Sequence, residues 1–362
     1  MIERASQLTL MGDLIKPCTL PTTRYQGSKS KIVEWIWENI EDIKFESALD
    51  AFGGTGIVGY FLKTRGKQVF YNDILKSNYF IGTALIENDS TKLSHDDIDF
   101  LLQPHPDINY PTFIQDTFSD IYYTDEENRW LDMAIQNIEH LDNFYKRTLA
   151  YYALFQSCII KRPYNLFHRK NLYMRTSNVK RSFGNKVTWD TPFEEHFLNF
   201  VKEANGCVFS NGKENKAFNL DVFDIEGDFD LVYIDTPYIS REGVGVDYLE
   251  FYHFLEGIVN YPKWKDMIDY RSKHRRIKHD KPVWCDKNKI HTAFDKLFKK
   301  FQNAIIVVSY RSDGIPSIES LTRILRKYKP VVSEIRYGGY KYVLSNNNSE
   351  ECLLLGLDER GG

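Results

Sequence analysis

The sequence predicts an α/β fold built on a mostly parallel, doubly wound sheet. Near the N-terminus, an apolar run at residues 47–52 is followed by a helical segment and by a second apolar run at residues 68–73. This order is a β-α-β unit, which is typical of parallel sheets. Apolar runs at residues 229–235 and 303–310 restore the alternation in the second half of the chain. Residues from about 90 to 205 lack it, so we expect a mostly helical insertion that divides one sheet.

The helices of the first half are predicted from the spacing of apolar residues. Residues 29–40 place Ile32, Ile36 and Ile40 on one helical face. The segment "IVGYFLKTRG" reads as a helix that ends at Gly66. Within the insertion, residues 129–160 look helical throughout, with apolar residues in register.

The end of the chain is predicted to add a helix and two strands. Residues 317–328 have helical spacing, and "VVSEIRYGGYKYVL" and "CLLLGL" read as strands. Gly338 and Gly339 can supply the positive φ angles of a hairpin turn. An antiparallel hairpin is therefore expected at the C-terminal edge of the sheet.

Composition excludes several classes of protein. The chain has 362 residues, of which 42% are hydrophobic and 27% charged, an ordinary globular composition. No apolar run approaches the 18 or so residues of a membrane-spanning helix, and the N-terminus lacks a secretory pattern. A cytoplasmic protein with free thiols and no metal site is expected, because its five cysteines have no metal-binding spacing: Cys18, Cys158, Cys207, Cys285 and Cys352.

Positive charge is concentrated in two windows although the net charge is -3. Residues 146–189 contain ten Lys and Arg and no Asp or Glu, with aromatic residues interleaved. Residues 262–290 contain ten basic and four acidic residues. Each window is either a solvated basic face beside a core or a phosphate-binding surface.

The segment "DAFGGTGIVG" follows the first predicted strand and opens a helix. Its glycines match GxGxxG at Gly54, Gly56 and Gly59, a weak signal by itself. Asp73 ends the next strand, where an acid can accept both hydroxyls of a ribose. An adenosine-containing ligand is favoured over a plain strand-helix turn, but the glycines do not decide between NAD and S-adenosylmethionine.

The segment "LVYIDTPY", at residues 231–238, places polar groups at the mouth of a buried strand. Asp235 ends that strand on the same rim as Gly54. Pro237 biases Thr236 to an extended backbone, which leaves a carboxylate, a carbonyl and the ring of Tyr238 on one rigid turn. Two acceptors and a stacking face suit a planar ring that carries an exocyclic amino group. The alternative is a turn that only ends the strand.

The order "RYQGSK", "DAFGGTG", "YND", "DVFD" and "DTPY" resembles that of the Dam-like (alpha-group) DNA adenine-N6 methyltransferases of restriction-modification systems. That group has a D/N/S-P-P-Y tetrapeptide, from which Thr236 departs, and a D-x-F-x-G-x-G loop. The resemblance covers nearly the whole chain. It implies a Rossmann-like methyltransferase domain at residues 20–95 and 205–362, with a target recognition domain inserted at residues 96–204.

The resemblance also implies a role for each matching residue. Asp235 and the Thr236 carbonyl would bind the target amino group beside Pro237, and Tyr238 would stack on the flipped base. S-adenosylmethionine would be held by Tyr25, Lys29, Asp50, Phe52, Gly54, Gly56, Asp73, Asp221 and Val222. Double-stranded DNA would be bound by Lys161, Arg162, Arg169, Lys170 and Arg175. A monomer is expected, and a cognate restriction endonuclease for the same site is left open.

Three alternatives remain at this stage. The same tetrapeptide class serves cytosine-N4 methylation. A non-catalytic DNA-binding subunit that senses S-adenosylmethionine would not need both Lys29 and an intact residue 235–238 turn. An NAD-dependent dehydrogenase would bind nicotinamide and transfer no methyl group.

Overall fold

A seven-stranded sheet is the frame of the computed structural model, which describes residues 20–22, 24–177, 186–338 and 349–358. The strand order is β3-β2-β1-β4-β5-β7-β6. Neighbours from β3 to β5 are parallel, and β7 is antiparallel to both β5 and β6. The strands are β1 (Ser47–Asp50), β2 (Gln68–Asn72), β3 (Lys216–Phe218), β4 (Leu231–Ile234), β5 (Ile305–Arg311), β6 (Val331–Tyr337) and β7 (Glu351–Leu357).

The predicted α/β class and the antiparallel C-terminal strands are confirmed. β1 lies between β2 and β4, with Ala48 in register with both Val69 and Leu231. All four residues of β4 are buried, as expected for a parallel strand covered on both faces. Gly339 lies outside the described residues, so the predicted hairpin turn stays a prediction. Cys18 lies outside the described residues as well.

Fourteen α-helices are found in the described part of the chain, and most of them lie in the insertion or flank the sheet. They are α1 (Val33–Glu38), α2 (Ile57–Thr64), α3 (Lys76–Gly82), α4 (His95–Leu102), α5 (Phe113–Thr117), α6 (Asp125–Glu139), α7 (Phe144–Ile160), α8 (Tyr173–Thr176), α9 (Lys186–Asp190), α10 (Phe193–Cys207), α11 (Tyr248–Ile258), α12 (Tyr261–Met267), α13 (Ile290–Lys300) and α14 (Ile318–Leu325). No helix among the described residues is long and apolar enough to cross a membrane.

Three details of the sequence-based prediction were wrong. The helical stretch at residues 129–160 is two helices, because the Asn143 side chain accepts the amide hydrogens of Tyr145 and Lys146 and starts α7 anew. α6 itself begins earlier, at a capping box between Thr124 and Glu127. Strand β3 was missed, since it is a three-residue edge strand with one exposed residue and carries no recognisable pattern.

The insertion packs directly on the sheet half of the protein. A single hydrophobic cluster includes Ala48 and Tyr60 of the sheet half together with Leu131 and Phe155 of the insertion. α7 packs against both α3 and α10. A shared core of this kind anchors the insertion to the helices that cover the sheet. The division into domains at residues 96 and 204 stays a prediction.

Candidate active site

A cavity of 460 Å³ opens at the carboxyl ends of β1, β2 and β4. Ligands of open α/β sheets bind at this edge, where the strand order changes direction. The cavity is lined by most of the residues that the sequence predicted for a cofactor: Tyr25, Lys29, Asp50, Phe52, Gly54, Asp73, Asp221 and Val222. Asp235 and Pro237 line the same cavity, so both halves of the predicted site meet there.

The glycine loop follows β1 and has little room for side chains. Gly54 and Gly56 have positive φ angles of 52° and 73°. A Cβ atom on Gly53 would lie 1.9 Å from the ring of Tyr71. The Tyr71 hydroxyl donates a hydrogen bond to the Gly54 carbonyl at 2.8 Å, which fixes the loop against β2. Backbone atoms rather than side chains therefore form this wall of the cavity.

The side chains of Asp73, which is half-buried, and Asp50, which is buried, hold the loop and the helix that follows it. Asp73 accepts hydrogen bonds from the amides of Gly54 at 2.9 Å and Leu75 at 2.8 Å. Burial raises the pKa of Asp73 to about 6, against the lowering effect of those bonds. Asp50 accepts the Gly59 amide of α2 at 3.0 Å, and burial raises its pKa to about 7.

Asp235 follows β4 and forms an ion pair with Lys29. The Lys29 ammonium lies 2.8 Å from Oδ1 and 2.7 Å from Oδ2 of Asp235. Burial raises the pKa of the Asp235 carboxyl and Lys29 opposes the rise. Glu351, the first residue of β7, lies 3.7 Å from the same ammonium. The Lys29 ammonium, predicted to help hold the cofactor, thus already contacts two carboxylates of the protein.

Thr236 and Tyr238 complete the turn after β4. Thr236 is buried, and its hydroxyl has no hydrogen-bond partner within the described ranges. Tyr238 is buried as well, and the Arg311 guanidinium lies over its ring at 4.8 Å. One face of the ring is therefore covered by a cation.

Three aromatic residues of the site were missed by the sequence analysis. Trp284 packs edge-on against Phe52, with ring centroids 5.1 Å apart, and covers the cavity from a distant loop. Tyr252 and Tyr248 stack on Tyr25, at 3.7 Å and 5.6 Å. Glu351 was missed too. None of these four residues lies in a motif, so no local signal could have identified them.

The predicted DNA-binding residues fall into a buried group and an exposed group in the structure. Lys161, Arg162 and Arg175 are buried. Lys161 and Arg175 both form ion pairs with Glu127, at 2.9 Å and 2.6 Å. Arg162 donates to the carbonyls of Leu166, Tyr122 and Arg169, each at 3.2 Å.

In the structure the charged groups of these three side chains bind internal partners, and their contact with phosphate stays a prediction. Arg169 and Lys170 are exposed. Lys170 forms a surface ion pair with Asp120 at 2.8 Å, a type of contact that contributes little to stability.

The site combines a backbone-walled cavity with a carboxylate and a proline turn at its rim. Such a turn offers acceptors to an amino group, and the cavity is large enough for a nucleoside-sized ligand.

Comparison with known proteins identifies the family to which the chain belongs. Residues 25–312 match the model of the D12 class N6 adenine-specific DNA methyltransferases. Type II methyltransferase M2.HphI of Haemophilus parahaemolyticus is 32% identical over 94% of this chain and 98% of its own length. Modification methylase StsI of Streptococcus sanguinis is 29% identical over 90% of this chain, and Type II methyltransferase M.FokI of Planomicrobium okeanokoites is 27% identical over 84%. This chain spans about half the length of those two relatives, 50% and 47%. The chain belongs to the D12 class N6 adenine-specific DNA methyltransferase family.

Proposed function

We propose that the 460 Å³ cavity binds S-adenosylmethionine and that the residue 235–238 turn presents the N6 amino group of a flipped adenine to it. The observation that carries this proposal is the position of Asp235 on the wall of the cavity that the glycine loop encloses. Within the family, the order of motifs favours the Dam-like alpha group.

The residues around the cavity suit S-adenosylmethionine. The glycine loop allows close approach of a ligand, and Asp73 supplies a carboxylate for ribose hydroxyls. Phe52 and Val222 offer apolar surface for an adenine ring, and Asp221 offers an acceptor for its amino group. When bound there, S-adenosylmethionine supplies the methyl group on a positively charged sulfur. The cavity wall near Lys29 and Asp235 carries two carboxylates against one ammonium, a balance that favours a cationic ligand.

Asp235 and the Thr236 carbonyl would accept the two hydrogens of the adenine amino group. The lone pair of that nitrogen is delocalised into the ring, so the amino group is a poor nucleophile. Two acceptors favour a more tetrahedral nitrogen and aim its lone pair into the cavity. Most of the acceleration then comes from positioning and electrostatics rather than from proton transfer.

The target atom is inaccessible inside a duplex, so the base must be flipped at a cost of a few kcal/mol. Tyr238 would stack on the flipped base. Phosphate contacts would offset the cost of flipping. We assign these contacts to Arg169 and Lys170, and to exposed residues of the second basic window such as Arg271, whose side chain is 94% exposed.

The names of the relatives point to modification enzymes, so we propose that this enzyme protects a site against a cognate restriction endonuclease. We further propose that it acts on double-stranded DNA as a cytoplasmic monomer.

Two measurements test the proposed function. Modification-sensitive sequencing of DNA from cells that express the protein should show N6-methyladenine at one recognition sequence. In vitro, Asp235→Ala should abolish methyl transfer from labelled S-adenosylmethionine, and Asp235→Asn should retain part of it, since an amide oxygen still accepts one N–H. Full activity of the Ala variant would refute the role of Asp235, and N4-methylcytosine in the sequencing would refute the choice of base.

A further inference from the structure

Glu351 lies at the active site because of the direction of its strand, β7. β7 is the one strand that is antiparallel to its neighbours β5 and β6 in the described sheet. Its first residue therefore lies at the rim where β4 and β5 end. Glu351 is paired with Arg311, the last residue of β5, and its side chain is 1% exposed.

The Glu351 carboxylate is held in place from β5. The Ser309 hydroxyl donates a hydrogen bond to Glu351 Oε1 at 2.5 Å. The same oxygen lies 3.7 Å from the Lys29 ammonium, which is 2.7 Å from Asp235. A buried ammonium that loses its carboxylate is costly, whereas one with a second carboxylate within reach can shift between the two.

We propose that Glu351 is a positioning residue that shares the Lys29 ammonium with Asp235 and so keeps the Asp235 oxygens open to the amino group of the target base. As the amino group approaches Asp235, Lys29 moves about 1 Å towards Glu351 and keeps a charged partner throughout. This inference rests on the proposed role of Asp235. It assigns to Glu351 a function that acts through Lys29, without contact to either substrate.

The sharing of the Lys29 ammonium between Glu351 and Asp235 is measurable through the ionisation of Asp235. The titratable and charged groups that act on Asp235 come from several elements packed around it: Lys29, Asp50, Tyr233, Tyr238, Tyr248 and Glu351. The Glu351 charge raises the pKa of Asp235, and Lys29 lowers it. Glu351→Gln removes the first effect and leaves Lys29 closer to Asp235. The pKa of Asp235 then falls, and the acid limb of methyl transfer, where Asp235 must be ionised, moves to lower pH.

The experiment measures single-turnover methyl transfer from tritiated S-adenosylmethionine to unmodified DNA between pH 5 and 9. In Glu351→Gln the acid limb should move down by roughly one pH unit, and the plateau rate should fall roughly tenfold, at unchanged affinity for S-adenosylmethionine. Glu351→Asp keeps the charge and should retain the parent limb. Glu350→Gln is the matched control, because that neighbour is 40% exposed and pairs with Arg336 at 3.5 Å.

If the acid limb of the pH profile and the plateau rate are both unchanged in Glu351→Gln, the proposal is overturned. So would an equal loss of rate in the Gln and Asp variants with no movement of the limb, which would mark Glu351 as structural. If Glu351→Gln does not fold, Ser309→Ala replaces it: the rate should fall at constant cofactor affinity, and a parent-like rate would overturn the proposal. An active Asp235→Ala variant would refute the proposed function itself, which is a separate outcome.

Discussion

The amide of Gly54 donates a hydrogen bond to Asp73 Oδ2 at 2.9 Å, which ties the loop after β1 to the end of β2. The same oxygen accepts from the Asn78 side chain at 3.1 Å, and Oδ1 accepts from the Leu75 amide. Asp73 therefore holds the glycine loop in shape before any ligand binds. Its carboxylate lines the cavity, so the group that shapes the loop is also the group available to ribose hydroxyls.

Asp73→Ala should weaken the binding of S-adenosylmethionine by about 1–3 kcal/mol, the usual range for losing hydrogen bonds to a charged group. Isothermal titration calorimetry measures this directly. Lys29→Ala should weaken binding by a similar amount if its ammonium reaches the cofactor's carboxylate, and by much less if it serves Asp235 only. Unchanged affinity in Asp73→Ala, or tight binding of NAD by the parent, would contradict the assignment of the cavity.

Asp50 should make the stability of the protein fall as pH rises towards neutrality. Burial raises the pKa of Asp50 to about 7 in the folded state, whereas an unfolded Asp has a pKa near 4. Between those values the folded state holds a proton that the unfolded state has lost, so stability decreases as pH rises through this window. Asn cannot ionise but can still accept the Gly59 amide.

The free energy of unfolding of Asp50→Asn should therefore increase relative to that of the parent from about pH 4 to pH 7. Above that pH the difference between the two should stay constant. Denaturant titrations at several pH values provide the measurement. Asp228→Asn is the matched control, because that carboxylate is exposed. A constant difference for Asp50→Asn as well would show that Asp50 is ionised throughout.

Removal of exposed basic residues should flatten the salt dependence of DNA binding. If Arg169 and Lys170 each contact one phosphate, the double Ala variant should lower the slope of log K against log salt by roughly 2. Fluorescence anisotropy with labelled duplex at several salt concentrations gives the slope. Arg271→Ala should lower the slope by a further 0.9 or so, roughly one phosphate contact, if the second basic window follows the DNA backbone.

Arg162→Ala is the contrasting variant. In the parent, the Arg162 guanidinium binds the carbonyls of Tyr122, Leu166 and Arg169 inside the protein. That variant should lose thermal stability, since the Leu166 and Arg169 carbonyls lose this donor and the Tyr122 carbonyl keeps only Arg175. In folded Arg162→Ala the salt slope should be that of the parent. A slope reduced by Arg162→Ala but not by the exposed pair would reverse the division between the two groups.

Tyr238→Phe should retain most of the turnover, and Tyr238→Ala should lose most of it. Stacking requires the ring rather than the hydroxyl and contributes roughly 1–3 kcal/mol per base. Phe also keeps the contact of Arg311 with the ring face, which the Ala variant loses. Turnover is followed together with the fluorescence of 2-aminopurine at the target position.

Flipping should raise the 2-aminopurine signal, and stacking on residue 238 should partly quench it. The Ala variant should then be brighter than the parent if it still flips the base. A Phe variant as inactive as the Ala variant would show that the hydroxyl takes part in the reaction, and the stacking role would be abandoned.

Local sequence patterns predict the frame of the sheet and the two motifs at its rim. Strands such as β4 are apolar along their whole length because a parallel strand is covered on both faces, and that pattern is local. The glycine loop and the residue 235–238 turn are local as well, since their backbone geometry depends on Gly and Pro at fixed positions. Parallel strands then bring both motifs to one edge without further information.

Tertiary packing, by contrast, sets which charged groups meet at that edge and which are buried elsewhere. Lys29 and Asp235 are 206 residues apart in sequence, and Glu351 joins them because β7 is antiparallel to β5 and β6. Composition cannot separate Arg162 from Arg169, although one binds internal carbonyls and the other is exposed. The difference depends on the packing of residues distant in sequence, because a buried cation is stable only where the fold supplies carbonyls or carboxylates to bind it.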